Sequence, residues 1–220
     1  MEINKRFKWI FFDLDGTLAD SIPWMYRIYK DFLGEFGASD KREEFEELNG
    51  FSLTEIVSEL KDRHELDGDE NVLLGLYRKK IADVYKKYVK PMDGAENILQ
   101  ELNKDYKLML VTAAERGLAL EFIEHHKLNK YFQDYVFGNE IKMAKPSPDI
   151  YNAALKKAKI CPEAAAAIED SPNGIKSAGD AGIFVIGLAS SHSKEELTRS
   201  GASVVITHLS EILPVLESLQ

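Results

Sequence analysis

Cysteine is nearly absent from the sequence and long apolar runs are missing, and each lack excludes a class of protein. The 220 residues include one cysteine, Cys161, so no intramolecular disulfide can form, and a reducing cytoplasm is the expected location. No apolar run approaches about 18 residues, and no charged-then-apolar leader begins the sequence. We therefore expect a chain that is neither secreted by a recognisable signal nor membrane-spanning.

Positive charge is also scarce. Lysine and arginine number 28 against 37 aspartates and glutamates, which gives a formal net charge of −9 and a pI of about 5.2. Nucleic acids and anionic membrane surfaces are bound by an excess of the opposite charge. We therefore expect neither nucleic acid nor a membrane as a partner.

A short apolar run near the N-terminus ends in two carboxylates. Residues 9–12 read Trp-Ile-Phe-Phe, and Asp13 and Asp15 follow before Gly16. Such a run predicts a strand buried on both faces, as in a parallel sheet, and ligands bind at the carboxyl ends of those strands. A solvated turn would account for Gly16 and one carboxylate, but not for the whole string Asp-Leu-Asp-Gly-Thr-Leu-Ala-Asp-Ser over 13–21.

The chemistry open to this pair of carboxylates is limited. Two close carboxylates remain ionised only if they share a cation, and otherwise one of them keeps its proton. Mg²⁺ is a natural shared cation, because it takes oxygen ligands from carboxylates and from a substrate phosphate. An aspartate can also attack phosphorus and form an aspartyl-phosphate.

The string over 13–21 resembles the first motif of the haloacid dehalogenase superfamily, in the branch of the phosphoglycolate phosphatases and β-phosphoglucomutases. The resemblance implies that Asp13 is the nucleophile and Asp15 the general acid and base. Three further motifs of the family are found in order along the chain.

The second and third motifs supply a threonine and a lysine. Apolar residues 107–111 predict a strand that ends at Thr112, and Thr112 with the backbone N–H groups that follow, from Ala113 on, would bind phosphoryl oxygens. A threonine at a strand end is otherwise an ordinary turn residue. Lys145 precedes Pro146, which predicts a loop before a helix over 150–158. By resemblance, Lys145 neutralises the nucleophile and the phosphoryl group.

The fourth motif is a second acidic pair. A strand over 164–168 is followed by Glu169 and Asp170. The resemblance implies an Mg²⁺ site made by Asp13, the backbone carbonyl of Asp15, Asp170 and, directly or through water, Glu169. Asn173 either orients the charged groups or forms a simple Asx turn.

Residues 23–88 show only helical periodicity, and this segment is too long for an ordinary crossover between two strands. We predict a helical cap domain of four or five helices at 22–91, inserted into an α/β core made of 1–21 and 92–220. The core is predicted to be a doubly wound, Rossmann-like parallel sheet of six strands, with the first strand between the second and the fourth. Two linkers would let the cap act as a lid.

The predicted function is Mg²⁺-dependent hydrolysis of a small phosphorylated metabolite through an aspartyl-phosphate, with phosphoglycolate as the family default, by a monomer or weak homodimer. A sugar-phosphate mutase is one alternative. Met25 and Leu53 disfavour it, because they stand approximately where the mutases have a histidine and an arginine. A phosphate-binding module without catalysis is the other.

Several cap residues have less definite predictions. Trp24 and Arg27 lie on the first predicted cap helix and are candidates for substrate contact, with Arg27 as the candidate cation. The tyrosine- and lysine-rich segment 77–88 is interpreted as a solvated helix face. The five histidines lie outside the four motifs in sequence and are predicted to be surface residues.

Overall fold

The structure is a computed structural model that describes residues 6–219. Its centre is a six-stranded, wholly parallel sheet in the order β3-β2-β1-β4-β5-β6. The strands are β1 (Trp9–Phe12), β2 (Lys107–Thr112), β3 (Asp134–Phe137), β4 (Ala165–Glu169), β5 (Phe184–Leu188) and β6 (Val204–Ile206). The predicted α/β doubly wound sheet, with β1 between β2 and β4, is confirmed.

Alternate residues of the central strand enter two separate cores. Ile10 and Phe12 pack on one face of the sheet, and Trp9 and Phe11 pack on the other. Both faces are covered by helices, so a strand of four apolar residues in a row is fully buried. The core helices are α5 (Ala95–Leu102), α6 (Arg116–His125), α7 (Asp149–Ala158), α8 (Pro172–Asp180), α9 (Lys194–Arg199) and α10 (Ile212–Ser218).

Between β1 and α5 the chain forms four helices. They are α1 (Ile22–Glu35), α2 (Arg42–Leu48), α3 (Leu53–His64) and α4 (Glu70–Lys87). All four lie in the predicted cap segment, 22–91, which we call the helical insert; its status as a separate domain stays a prediction. A capping box starts α3, because Ser52 Oγ accepts from the Glu55 N–H at 3.3 Å and Glu55 Oε2 accepts from the Ser52 N–H at 3.0 Å.

The two chain segments that join the insert to the sheet run side by side. The Asp20 N–H donates to the Lys90 carbonyl at 2.9 Å, and the Met92 N–H donates to the Leu18 carbonyl at 2.8 Å. These hydrogen bonds join the segment that enters the insert to the segment that leaves it, next to the end of β1.

Within residues 6–219, no helix combines the length and the apolar character that crossing a bilayer requires. The longest helix, α4, has 18 residues and carries charged side chains along its length. Its burial nevertheless corrects one prediction. Tyr77, Ile81 and Tyr85, spaced four residues apart, form a buried stripe, so segment 77–88 is not simply a solvated face.

Candidate active site

The side chains of the four motifs meet at the carboxyl edge of the sheet. Asp13 follows β1, Thr112 ends β2, Glu169 ends β4 and Asp170 comes next. β2 and β4 flank β1, and all three strands are parallel, so their carboxyl ends are neighbours. Lys145 reaches this edge from the turn before α7, as a lysine in front of a proline predicts.

A cavity of about 110 Å³ lies between this edge and the helical insert. On the core side, its lining includes six of the predicted site residues: Asp13, Asp15, Thr112, Ala113, Lys145 and Asp170. Glu169 is fully buried beside them. Thr112 Oγ1 also accepts a hydrogen bond from the Ala114 N–H at 3.1 Å, which holds the turn after β2 in place.

Lys145 lies at the centre of a buried charge network. Its Nζ is 2.6 Å from Asp13 Oδ1 and 2.6 Å from Glu169 Oε1. Tyr151 on α7 donates a further hydrogen bond to Glu169 Oε1. Burial by itself lowers the pKa of Lys145, but the two carboxylates outweigh that effect and raise it. The ammonium is therefore held charged where phosphoryl oxygens would lie.

Three buried carboxylates lie close together. Asp13, Glu169 and Asp170 offer oxygens that are all within 4.8 Å of one another. Burial, added to the repulsion between the carboxylates, raises the pKa of Asp13 well above its usual range, although Lys145 opposes the shift. Burial raises the pKa of Asp170 to about 7, although Ser191 Oγ donates to Asp170 Oδ2 at 2.5 Å. One ammonium does not balance this much negative charge.

The donor set fits a hard divalent cation. All three side chains offer carboxylate oxygens, the ligands that Mg²⁺ prefers. Glu169 Oε2 is buried and has no hydrogen-bond partner, so it is free to bind a cation. Two glycines clear the space: a Cβ at Gly174 would lie 1.9 Å from Glu169 Oε2, and one at Gly16 would lie 2.0 Å from Asp170 Oδ2. The side chain of Asp15 is outside this cluster.

Asp15 has a different environment from Asp13. Ser21 Oγ donates to Asp15 Oδ1 at 2.6 Å, and Tyr85 on α4 donates to the same oxygen. Burial raises the pKa of Asp15, and the two hydroxyl donors offset part of that rise. A carboxyl group with a raised pKa can hold a proton and give it up again, as a general acid must.

Tyr85 is a site residue that the sequence did not reveal. It is 70 positions from Asp15 and sits among lysines, so no local motif marks it. The signal that could have found it is the apolar spacing of α4, in which Tyr85 continues the stripe of Tyr77 and Ile81.

The structure does not bring Arg27 to the site. Its guanidinium is on the outer face of α1, where the side chain is 69% exposed and its Nε lies 3.8 Å from Asp31 Oδ2. Helical spacing decides this placement, because Met25 and Tyr29, two positions away on either side, line the cavity instead. Trp24 stacks on Tyr88 with ring centroids 4.8 Å apart and does not line the cavity.

Asn173 and His192 also differ from expectation. Asn173 Nδ2 donates to the backbone carbonyls of Glu47, at 3.1 Å, and Asn49, at 2.8 Å, so it contacts the helical insert rather than Lys145 or the acidic pair. His192 is only partly exposed and lies beside the site, with Nδ1 3.1 Å from the Asp170 carbonyl oxygen.

Comparisons with known proteins place the chain among enzymes. A family model described as haloacid dehalogenase-like hydrolase matches residues 10–188. A phosphorylated carbohydrates phosphatase from Thermotoga maritima is 29% identical over 213 residues, which are 96% of this chain and 98% of that protein. Phosphoglycolate phosphatase 1 from Pseudomonas aeruginosa is 26% identical over 213 residues, 93% of this chain and 78% of that protein.

The fold agrees with these relatives. The crystal structure of a hydrolase from Pseudomonas syringae superposes with a TM-score of 0.83 at 23% identity, covering 96% of this chain and 99% of that one. The family model spans the motifs of Asp13, Thr112, Lys145 and Asp170, which the fold gathers around one cavity. The chain therefore belongs to the haloacid dehalogenase-like hydrolases, the family that its four motifs resemble.

Proposed function

We propose that the chain hydrolyses a small phosphorylated metabolite through an aspartyl-phosphate on Asp13, with Mg²⁺ as cofactor. It is a phosphoric monoester hydrolase of its family, as its phosphatase relatives indicate. The observation that carries the mechanism is the position of Lys145. It joins the candidate nucleophile to a cluster of carboxylates, at a cavity that Thr112 and Asp15 also line.

The first step is attack on phosphorus. A carboxylate oxygen of Asp13 forms a bond to phosphorus while the bond to the leaving alcohol oxygen breaks. Asp15 donates a proton to that oxygen, so the alcohol leaves neutral. Lys145, the Thr112 hydroxyl and the Ala113 N–H are placed to stabilise the charge on the phosphoryl oxygens.

The second step returns the enzyme to its starting state. Asp15, now ionised, takes a proton from a water molecule while the oxygen of that water attacks the phosphorus of the aspartyl-phosphate. The bond between phosphorus and the Asp13 oxygen breaks, so phosphate leaves and the Asp13 carboxylate is restored. Asp13, Asp170, the backbone carbonyl of Asp15 and Glu169, directly or through water, would hold Mg²⁺. The cation would neutralise part of the charge on the phosphoryl oxygens.

The lining of the cavity supports a phosphatase over a mutase. Met25 and Leu53, which stand approximately where a mutase would have its histidine and arginine, both line the cavity. Neither side chain can carry a proton or hold a second phosphate. We also propose a cytoplasmic enzyme that works as a monomer or weak homodimer, in keeping with its single exposed cysteine.

The test is a phosphate-release screen over small phosphorylated metabolites, with and without Mg²⁺. We expect release from at least one class of substrate, dependence on Mg²⁺, and loss of release in Asp13→Asn. Conversion of a hexose 1-phosphate into its 6-phosphate without release would support the mutase. Binding of phosphate without turnover of any compound would support the non-catalytic module.

A further inference from the structure

The roof of the cavity, where the leaving group of a substrate would lie, is apolar. We propose that the substrate is a phosphate monoester of an uncharged, mainly apolar alcohol, without a carboxylate or second phosphate. This proposal rests on the proposed function and narrows it. Its basis is the set of side chains that the helical insert presents to the cavity, not the similarity to any relative.

The insert contributes aliphatic and aromatic side chains from all four of its helices. Among those that line the cavity are Met25, Leu48, Phe51, Leu53, Ile56 and Ile81. Among the described residues lining this cavity, Lys145 is the sole lysine or arginine, and it belongs to the opposite, core side. A leaving group therefore meets a surface that favours apolar contact and offers no cation.

The cation that follows Tyr77 of the roof in sequence is already paired. Arg78 on α4 makes a two-pronged contact with Glu115, with Nη2 and Nε 2.6 and 2.7 Å from the two carboxylate oxygens. Glu115 itself lines the cavity, whereas Arg78 does not. An anionic group on a substrate would thus meet the carboxylate before it met the guanidinium.

The polar side chains that the insert presents to the cavity are neutral: Tyr29, Asn49, Tyr77 and Tyr85. The Tyr29 hydroxyl is committed to Glu44, donating to Oε1 at 2.6 Å. Asn49 lines the cavity, and its Nδ2 is buried without a hydrogen-bond partner. Neutral amide and hydroxyl groups suit a hydroxyl or ether oxygen on an otherwise apolar alcohol, but they do not replace the hydration shell of a carboxylate or phosphate.

The test compares substrates that differ in one charge. Benzyl phosphate and 4-carboxybenzyl phosphate release benzyl alcohols of nearly the same leaving-group ability, so the two esters have nearly the same intrinsic reactivity. Because the carboxylate would lose its water against apolar walls, we expect kcat/KM for benzyl phosphate to be at least about 100-fold higher. Phosphoglycolate, whose carboxylate is closer to the phosphate, should likewise be a poor substrate.

A cation placed in the roof should change this preference. In Leu53→Arg, we expect the ratio of the two kcat/KM values to fall at least about tenfold. Leu76→Arg is the matched control, because Leu76 is on α4 but is 41% exposed and does not line the cavity. That variant should keep the wild-type ratio. If Leu53→Arg does not fold, the wild-type ratio alone decides the question.

The outcomes separate the two proposals. Preference for the uncharged ester, lost on adding an arginine at position 53, supports the apolar leaving group. Equal or better turnover of 4-carboxybenzyl phosphate or phosphoglycolate overturns this proposal and leaves the phosphatase intact. No Mg²⁺-dependent release from any of the three esters, together with none in the broader metabolite screen, overturns both.

Discussion

At the scale of single residues, the site depends on two glycines, whose lack of a side chain leaves space for carboxylates. Gly16 and Gly174 leave room for Asp170 and Glu169, because a methyl group at either position would overlap a carboxylate oxygen. Gly16 also has a φ of +76°, which side chains rarely adopt. The glycine of the first motif is thus required twice, for the turn and for the space.

Replacing Gly174 should break the acidic cluster. The new Cβ in Gly174→Ala must push Glu169 away from Lys145, so we expect the free energy of unfolding to fall by about 2–4 kcal/mol. The increase in Tm on adding Mg²⁺ should shrink as well. Gly179→Ala is the control on the same helix, since nothing lies within 4 Å of its added Cβ. An unchanged Mg²⁺ response in Gly174→Ala would contradict the assigned cation site.

The Tyr85 hydroxyl should matter for turnover. Tyr85→Phe keeps the ring against Phe122 but removes a donor to Asp15, and we expect kcat to fall by about tenfold with little change in KM. Tyr88→Phe, at a residue that is 51% exposed, is the control. Equal kcat values for wild type and Tyr85→Phe would mean that Tyr85 only packs.

At the scale of secondary-structure elements, α8 contacts both the acidic cluster and the helical insert. Its N-cap Ser171 accepts from the Gly174 N–H at 3.1 Å, which fixes the first turn beside Glu169 and Asp170. Asn173 in the same turn holds the end of α2, through the Glu47 carbonyl, and the loop that follows it, through the Asn49 carbonyl. The helix that directly follows the acidic pair therefore also holds the insert over the cavity.

Loss of that fastening should loosen substrate binding. Asn173→Ala removes two hydrogen bonds between α8 and the insert, together worth about 1–2 kcal/mol, so we expect KM to rise several-fold. Proteolysis within the loop over 48–53 should also become faster. Asn152→Ala, at an exposed position on α7, serves as the control. A proteolysis pattern like that of wild type would count against this role.

The elements were largely predictable from the sequence, and their mutual contacts were not. Buried parallel strands appear as apolar runs, so each strand and the position of Asp13, Thr112 and Asp170 at a strand end followed from pattern and motif. Contacts between the insert and the core join residues that are far apart, such as Asn173 and Asn49 at a separation of 124 positions. No local pattern encodes them, which is why Asn173 and Tyr85 gained their roles only from the fold.

The difference between the predicted and the observed position of Arg27 has a similar cause. Its charge suggested a contact with substrate, but a position on a helix is decided by which face is buried. Met25 and Tyr29 point to the cavity, so the residue midway between them points to solvent. Charge alone is a weaker guide to a site than helical phase.

At the scale of the whole molecule, stability should depend on pH through a histidine outside the site. His126, at the end of α6, lies against Phe122 with ring centroids 4.6 Å apart. Burial lowers the pKa of His126 from 6.5, and the neighbouring His125 adds to the effect. At pH values between the lowered pKa of the folded state and 6.5, His126 is protonated more often in the unfolded chain than in the folded chain.

The contribution of His126 to the free energy of unfolding should therefore fall as the pH drops through about 6.5 and level off below the lowered pKa, whereas Asp170, whose pKa burial raises, contributes in the opposite direction. His126→Gln should remove the contribution of the histidine and so lower the slope of the free energy of unfolding against pH in denaturant titrations. His208→Gln, at an exposed position, is the control and should leave the slope as in wild type. A wild-type slope in His126→Gln would assign the pH dependence to other groups.

A covalent phosphoryl group on Asp13 is the most direct test of the account. With 4-nitrophenyl phosphate the leaving group departs without a proton, so in Asp15→Asn the first step should proceed while the second, which needs a base, is slow. Acid quench and peptide mass spectrometry should then find one phosphoryl group on the peptide that contains Asp13. Full turnover by Asp13→Asn, or a phosphoryl group on another residue, would contradict the mechanism.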